Sequence, residues 1–83
     1  MNSLNPVKVK FKLEGQVVEE VIENNWTIGK IKGKIRKSFQ INPYFTLQFL
    51  YNGEVLENDV IFKDVKYSSG STIKVMTSRA SEI

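Results

Sequence analysis

The sequence predicts an α+β domain, with one helix lying on a mixed sheet. Three observations carry this. Residues 7–13 alternate strictly, with Val7, Val9, Phe11 and Leu13 on one side and Lys8, Lys10 and Lys12 on the other, which is the period of a half-buried strand. Ile28, Ile31, Ile35 and Phe39 recur at helical spacing behind Thr27, a good N-cap residue. Two later runs, 46–51 and 72–76, alternate again. At 83 residues the chain fits one domain. A domain of this size buries only about 60% of the surface its unfolded chain exposes, so its core, mostly Val, Ile, Leu and Phe, has no obvious room for a ligand cavity.

Residues 1–6 are polar and end in Pro6, which reads as a flexible arm. The first strand follows, then a Glu14-Gly15 turn and a second strand over 16–22, completing a hairpin. The run Val17-Val18-Glu19-Glu20-Val21-Ile22 blurs the alternation. It leaves the inward side of that strand open and is consistent with a bulge. From Ile28, at about 100° per residue, the four apolar residues fall in a narrow wedge, and Lys30, Lys34 and Lys37 fall opposite. Lys32 lies near the edge of the wedge and Arg36 further round. Gly29 and Gly33 each weaken the helix by about 1 kcal/mol relative to Ala, so packing on a sheet must offset that loss.

Asn42-Pro43 ends the helix. In the next loop Phe45 is expected to tuck under the sheet edge, with Tyr44 half out. The strand over 46–51 turns Leu47, Phe49 and Tyr51 to one side and Gln48 and Leu50 to the other. Asn52-Gly53 is a turn signal, and Val55-Leu56 a short edge piece. Residues 58–67 are irregular, with Ile61, Phe62 and Val65 as anchors. After a turn over 68–71, the last strand points Ile73 and Val75 inward and Lys74 and Met76 outward. From Thr77 the pattern is lost and the chain is expected to fray. The domain is bounded at 7–77, with a flexible tail over 78–83.

The residue inventory argues against catalysis. The chain holds no His and no Cys, which removes the usual general base and the thiol nucleophile. No serine has a paired base in sequence, and Glu19 and Glu20 point to opposite faces of a strand. Gly29-x-x-x-Gly33 lacks the Lys-Ser/Thr of a phosphate loop and lies inside a helix. No metal-ligand cluster is visible, and no cofactor or small-molecule substrate is indicated. No apolar run approaches the roughly 18 residues of a membrane span, and the start of the chain lacks the form of a signal peptide. These features are read as an intracellular domain, cytoplasmic or nuclear, and a monomer in isolation. A net charge of +3 does not by itself indicate nucleic acid.

The order of parts resembles the ubiquitin family. The matching segments are Thr27-Ile-Gly-Lys-Ile-Lys-Gly-Lys-Ile35, Ile41-Asn-Pro43, Leu50-Tyr-Asn-Gly53-Glu-Val-Leu56-Glu57 and Ser71-Thr72-Ile73-Lys-Val75. Each is short, and the specificity lies in their order and spacing. The resemblance implies the β-grasp fold, with one main helix on a mixed four- to five-stranded sheet and the first and last strands parallel beneath the helix. It also implies docking of protein partners on an apolar patch of the open sheet face. At the positions of that patch stand Leu50 and Met76, with Lys74, Gln48 and Gly53 around them; the hairpin-loop position falls on Leu13 or Glu14. No Gly-Gly ends the chain, and Glu54 and Ser69 stand where ubiquitin's main chain-building lysines would be. The resemblance therefore points to a non-conjugated, integral domain of a larger protein. Lys32 matches a half-buried lysine that the family pairs with an Asp. Here that position is Asn58, and Lys32 is expected to find another acceptor or swing to solvent.

The expected function is a non-catalytic protein-interaction module that binds through Leu50, Met76, Lys74, Gln48, Gly53 and Leu13. The alternative is a structural or assembly domain. It would self-associate, or bind an acidic protein or filament, through the lysine-rich helix face of Lys30, Lys34 and Lys37. Ras-binding domains of the same shape present basic residues from the second strand and the helix, but here the second strand offers Glu19 and Glu20.

Overall fold

A computed structural model describes residues 6–79. Five strands and one helix succeed each other as β1 (Pro6–Leu13), β2 (Gln16–Glu23), α1 (Ile28–Ser38), β3 (Phe45–Tyr51), β4 (Glu54–Leu56) and β5 (Thr72–Arg79), with a 3-10 turn at Phe62–Asp64. The sheet order is β2-β1-β5-β3-β4. β1 and β5 run parallel at the centre, and the other pairs are antiparallel. This is the β-grasp arrangement.

The core forms between α1 and one face of the sheet. Ile28, Ile31 and Ile35 of α1 are fully buried, as are Val9, Phe11, Ile22, Phe49 and Ile73 of the strands. Phe11 and Phe49 meet with ring centroids 5.3 Å apart. Phe39 packs at the margin of this cluster. Because side chains alternate along a strand, burial of Leu47, Phe49, Tyr51, Ile73 and Val75 sends Gln48, Leu50, Lys74 and Met76 to the face away from the helix.

The start of α1 is satisfied by its surroundings. Thr27 Oγ1 accepts from the Lys30 amide at 3.2 Å. The amides of Ile28 and Gly29 donate to the Val60 and Asn58 carbonyls at 2.8 and 3.0 Å. Three donors that a helix start leaves without intrahelical partners are thus paired. Gly29 suits this approach, since a Cβ there would lie 3.4 Å from the Asn58 carbonyl oxygen.

The structure corrects several expectations. β1 begins at Pro6, which pairs with Glu23, so one residue of the expected arm is strand; residues 1–5 and 80–83 lie outside the described residues. The β1–β2 register is continuous from Pro6↔Glu23 to Leu13↔Gln16, with no bulge. Val18, Glu20 and Ile22 face the helix, while Val17, Glu19 and Val21 face away. The helix ends earlier than Asn42-Pro43. Gln40 adopts a left-handed φ of 57°, its amide donates to Lys37 O and the Ile41 amide to Arg36 O, which is a Schellman cap. β5 does not fray at Thr77. It pairs on through Thr77↔Leu47, Ser78↔Thr46 and Arg79↔Phe45, because β3 also starts early and supplies the partner. Tyr44 is 77% exposed rather than half out. It sits at the tip of a turn in which its amide donates to Asn42 Oδ1 at 2.7 Å.

Candidate docking face

The helix-free face is built from register. Leu50 of β3 stands opposite Lys74 of β5, and Gln48 opposite Met76. Leu50 and Met76 are therefore diagonal neighbours, about 7–8 Å apart and within reach of long side chains. Both are half-buried, whereas Lys74 and Gln48 are exposed. The turn at Asn52 and Gly53, with φ values of 52° and 81°, closes a two-residue hairpin. Positive φ at both positions is what the favoured tight hairpin turn requires. This turn fixes Leu50↔Val55 and places Val55, 43% exposed, beside Leu50 on the same face.

Leu13 does not join this face. It takes the core-side phase of β1 and packs partly against the core, although it lines, together with Met76, a hollow at the hairpin end. In its place the structure offers residues that the sequence reading missed. Lys12 pairs with Lys74 across β1 and β5, and Val17 pairs with Lys12. One row thus crosses the whole sheet as Val17, Lys12, Lys74, Leu50 and Val55. The signal lay in the two turns. A two-residue loop at Glu14-Gly15 forces Lys12 opposite Val17, just as Asn52-Gly53 forces Leu50 opposite Val55.

The lysine-rich side of α1 is not a uniform free surface. Lys34 Nζ donates to the Val21 carbonyl at 2.9 Å and lies 3.9 Å from Glu20 Oε1. It also stands 5.6 Å from the centroid of the Trp26 ring, with Lys30 at 4.7 Å. Ser38 donates to Glu20 Oε2 at 2.5 Å. These contacts tie the helix to the outer strand β2. Arg36 Nη1 donates to the carbonyls of Asn42 and Phe45 at 3.1 and 2.9 Å, bracing the loop that follows. Lys30 and Lys37 are exposed.

Lys32 also differs from expectation. It neither leaves for solvent nor changes acceptor, because Asn58 itself serves: Lys32 Nζ donates to Asn58 Oδ1 at 2.6 Å. Burial lowers the ammonium pKa below its usual value, and the nearby Glu57 carboxylate partly opposes that shift. A neutral amide satisfies the hydrogen bond but supplies no opposite charge of its own. Among the described residues there is no group of three or more His, Cys, Asp or Glu placed to hold a metal ion, and no helix is long and apolar enough to cross a membrane.

A family model described as the ubiquitin family matches residues 7–80. Among solved structures, the crystal structure of the UBL domain of Plasmodium falciparum Dsk2 superposes with a TM-score of 0.78 at 19% identity, covering 89% of this chain and all of that one. The solution structure of the N-terminal ubiquitin-like domain in the 4931431F19Rik protein gives a TM-score of 0.79 at 22% identity, covering 98% of this chain and 83% of that one. At such identities the likeness is one of fold. No curated protein matches the chain.

Proposed function

The chain belongs to the ubiquitin family, and from that premise we propose that it is a non-catalytic protein-binding module of a larger intracellular protein, docking its partner on the helix-free sheet face. Leu50 and Met76 are the apolar anchors; Lys74, Gln48 and Gly53 form the rim, and Val55 extends the apolar area. One observation carries the reading. Two large apolar side chains stand diagonal to each other on a face that no element of the described residues covers. Contiguous apolar surface framed by polar residues is what partners use. The residue inventory points the same way, since a chain without His or Cys has few means of acid–base or nucleophilic chemistry.

The helix-face alternative has less support. Of its three lysines, Lys34 is engaged with Val21 and Glu20, and Lys30 stacks on Trp26. A surface whose charges hold the domain together has fewer left to offer a partner.

Affinity capture with the wild-type chain beside Leu50→Asp and Met76→Asp variants tests the proposal. Partners retained by the wild type should be lost from both variants, while each variant still unfolds cooperatively. Leu50→Asp should cost only about 1 kcal/mol in strand preference, because the side chain lies outside the core. Retention of the same partners by both variants would refute the assignment of the face, and collapse of the Leu50→Asp fold would show that Leu50 is core.

A further inference from the structure

An open sheet offers its outer strands to other chains, because each edge carries unpaired N–H and C=O groups. Here β4 forms one edge and is only three residues long. β2 forms the other and runs for eight. Along an antiparallel strand alternate residues bond to the neighbouring strand, and those between them point their peptide groups outward. Two contacts identify the outward series of β2. The Glu23 carbonyl accepts from the Trp26 amide at 3.0 Å, and the Val21 carbonyl accepts from Lys34 Nζ at 2.9 Å. Val17 and Glu19 continue that series toward the hairpin. Among the described residues, no hydrogen bond reaches their outward groups.

Lys34 is held over this edge. Its ammonium lies 3.9 Å from Glu20 Oε1, and Glu20 Oε2 in turn accepts from Ser38 Oγ at 2.5 Å. The Trp26 ring centroid is 5.6 Å from the same ammonium. A charged side chain laid on an edge hinders the addition of a strand, and a strand pairing at Val21 must first displace it.

The side chains of β2 indicate which strand would come. Val17 and Val21 are apolar yet 55% and 47% exposed, and they stand symmetrically about Glu19. A second copy of β2 laid antiparallel, with the symmetry axis at Glu19, sets each Val17 opposite the second copy's Val21. Such pairs of β-branched residues stabilise sheets. This register uses the outward groups of residues 17, 19 and 21, so it needs the Val21 carbonyl that Lys34 covers. It also brings the two Glu19 side chains together at the axis, where like charges oppose pairing.

We propose that Lys34 and Glu19 are edge guards, which keep β2 from pairing with the β2 of a second copy and so hold the domain as a monomer. The inference stands apart from the docking face, which is centred on β3 and β5, and its failure would leave that face untouched.

The test is the assembly state of the full chain, read by sedimentation velocity over a concentration series, with cooperative unfolding checked for each variant. Lys34→Met keeps the stem and removes the donor, and Glu19→Gln keeps the shape and removes the charge. K34M/E19Q should self-associate at least about tenfold more tightly than the wild type, which is about 1.4 kcal/mol of pairing. K34R/E19Q retains a donor for the Val21 carbonyl and should associate less than K34M/E19Q. Two further changes locate the contact. Val21→Pro removes an N–H that β1 does not use, a change suited to an edge strand. Val17→Lys puts a charge where the valine pair would form, and it decides the matter if the proline variant fails to fold. Either change, added to K34M/E19Q, should restore the monomer. K34M/E19Q associating no more tightly than the wild type would overturn the guards. Association that survives Val17→Lys would overturn β2 as the surface. A wild type already dimeric, and made monomeric by Val17→Lys, would overturn the guards equally.

Discussion

Asn58→Asp should stabilise the domain, because it places a carboxylate where Lys32 Nζ already makes a 2.6 Å bond to a neutral amide. Two effects act in the same direction. The ion pair is worth about 0.5–1 kcal/mol, the scale of a partly screened surface pair, because Lys32 is only half-buried. Residue 58 also adjoins the N-terminus of α1, where its carbonyl accepts from the Gly29 amide; a negative charge there adds about 0.3–1 kcal/mol. The sum of about 0.8–2 kcal/mol corresponds to a rise in Tm of about 3–16 °C for a domain of this size. Thermal and urea unfolding at neutral pH would read it. The pH dependence has a definite sign. Lys32 holds the new carboxylate below its ordinary pKa of about 3.9, so the gain is present above that value and lost as pH falls through the folded-state pKa. In the wild type the lowered Lys32 pKa acts at the alkaline end. The unfolded chain there binds more protons, so this residue's contribution to stability increases as pH rises toward 10.5. Asn58→Asp should flatten that rise. In combination with Lys32→Met only the helix-terminus part should survive. An Asn58→Asp variant no more stable than wild type, or a gain unchanged by Lys32→Met, would refute the reasoning.

Two further substitutions test the helix. Gly33→Ala should raise stability by about 0.8–1 kcal/mol by helix propensity, because a Cβ at that position meets nothing within 4 Å. Gly29→Ala should gain less or lose, since its Cβ would press on Asn58; equal gains at both sites in urea unfolding would contradict the packing of α1 against residue 58. Gln40→Gly should gain about 0.5–1 kcal/mol by freeing a left-handed backbone from its Cβ. A melting temperature at or below that of the wild type would show that the Schellman cap is not the native helix end.

Most of the architecture could be read in the chain because burial and period agree. The alternation through Phe11, Phe49 and Ile73 and the helical stripe of Ile28, Ile31 and Ile35 name the buried residues directly. β2 could not be phased from its own composition, since Val17 and Val21 are apolar yet exposed. Its register is set from outside the strand, by the length of the Glu14-Gly15 turn and the pairing with β1. The end of β5 was missed for the same reason. Thr77, Ser78 and Arg79 carry no apolar signal, and they are strand only because β3 lies beside them. At the site, Leu50 and Met76 followed from the alternation of single strands. Lys12 became visible only once β1 and β5 were set parallel in register. The role of Lys34 was hidden for a different reason: a helix position shows which side a lysine leaves from, but not that the Val21 carbonyl waits there.

The docking face is tested most directly by methyl NMR on the chain bound to a partner recovered by affinity capture. Cross-saturation from the partner should reach the Leu50, Val55 and Met76 methyl groups and leave those of Ile28, Ile31 and Ile35 untouched, with Lys30→Gln and Lys37→Gln leaving the affinity unchanged. Saturation absent from Leu50 and Met76, together with affinity lost on changing Lys30 and Lys37, would move the binding surface to the helix and contradict the account.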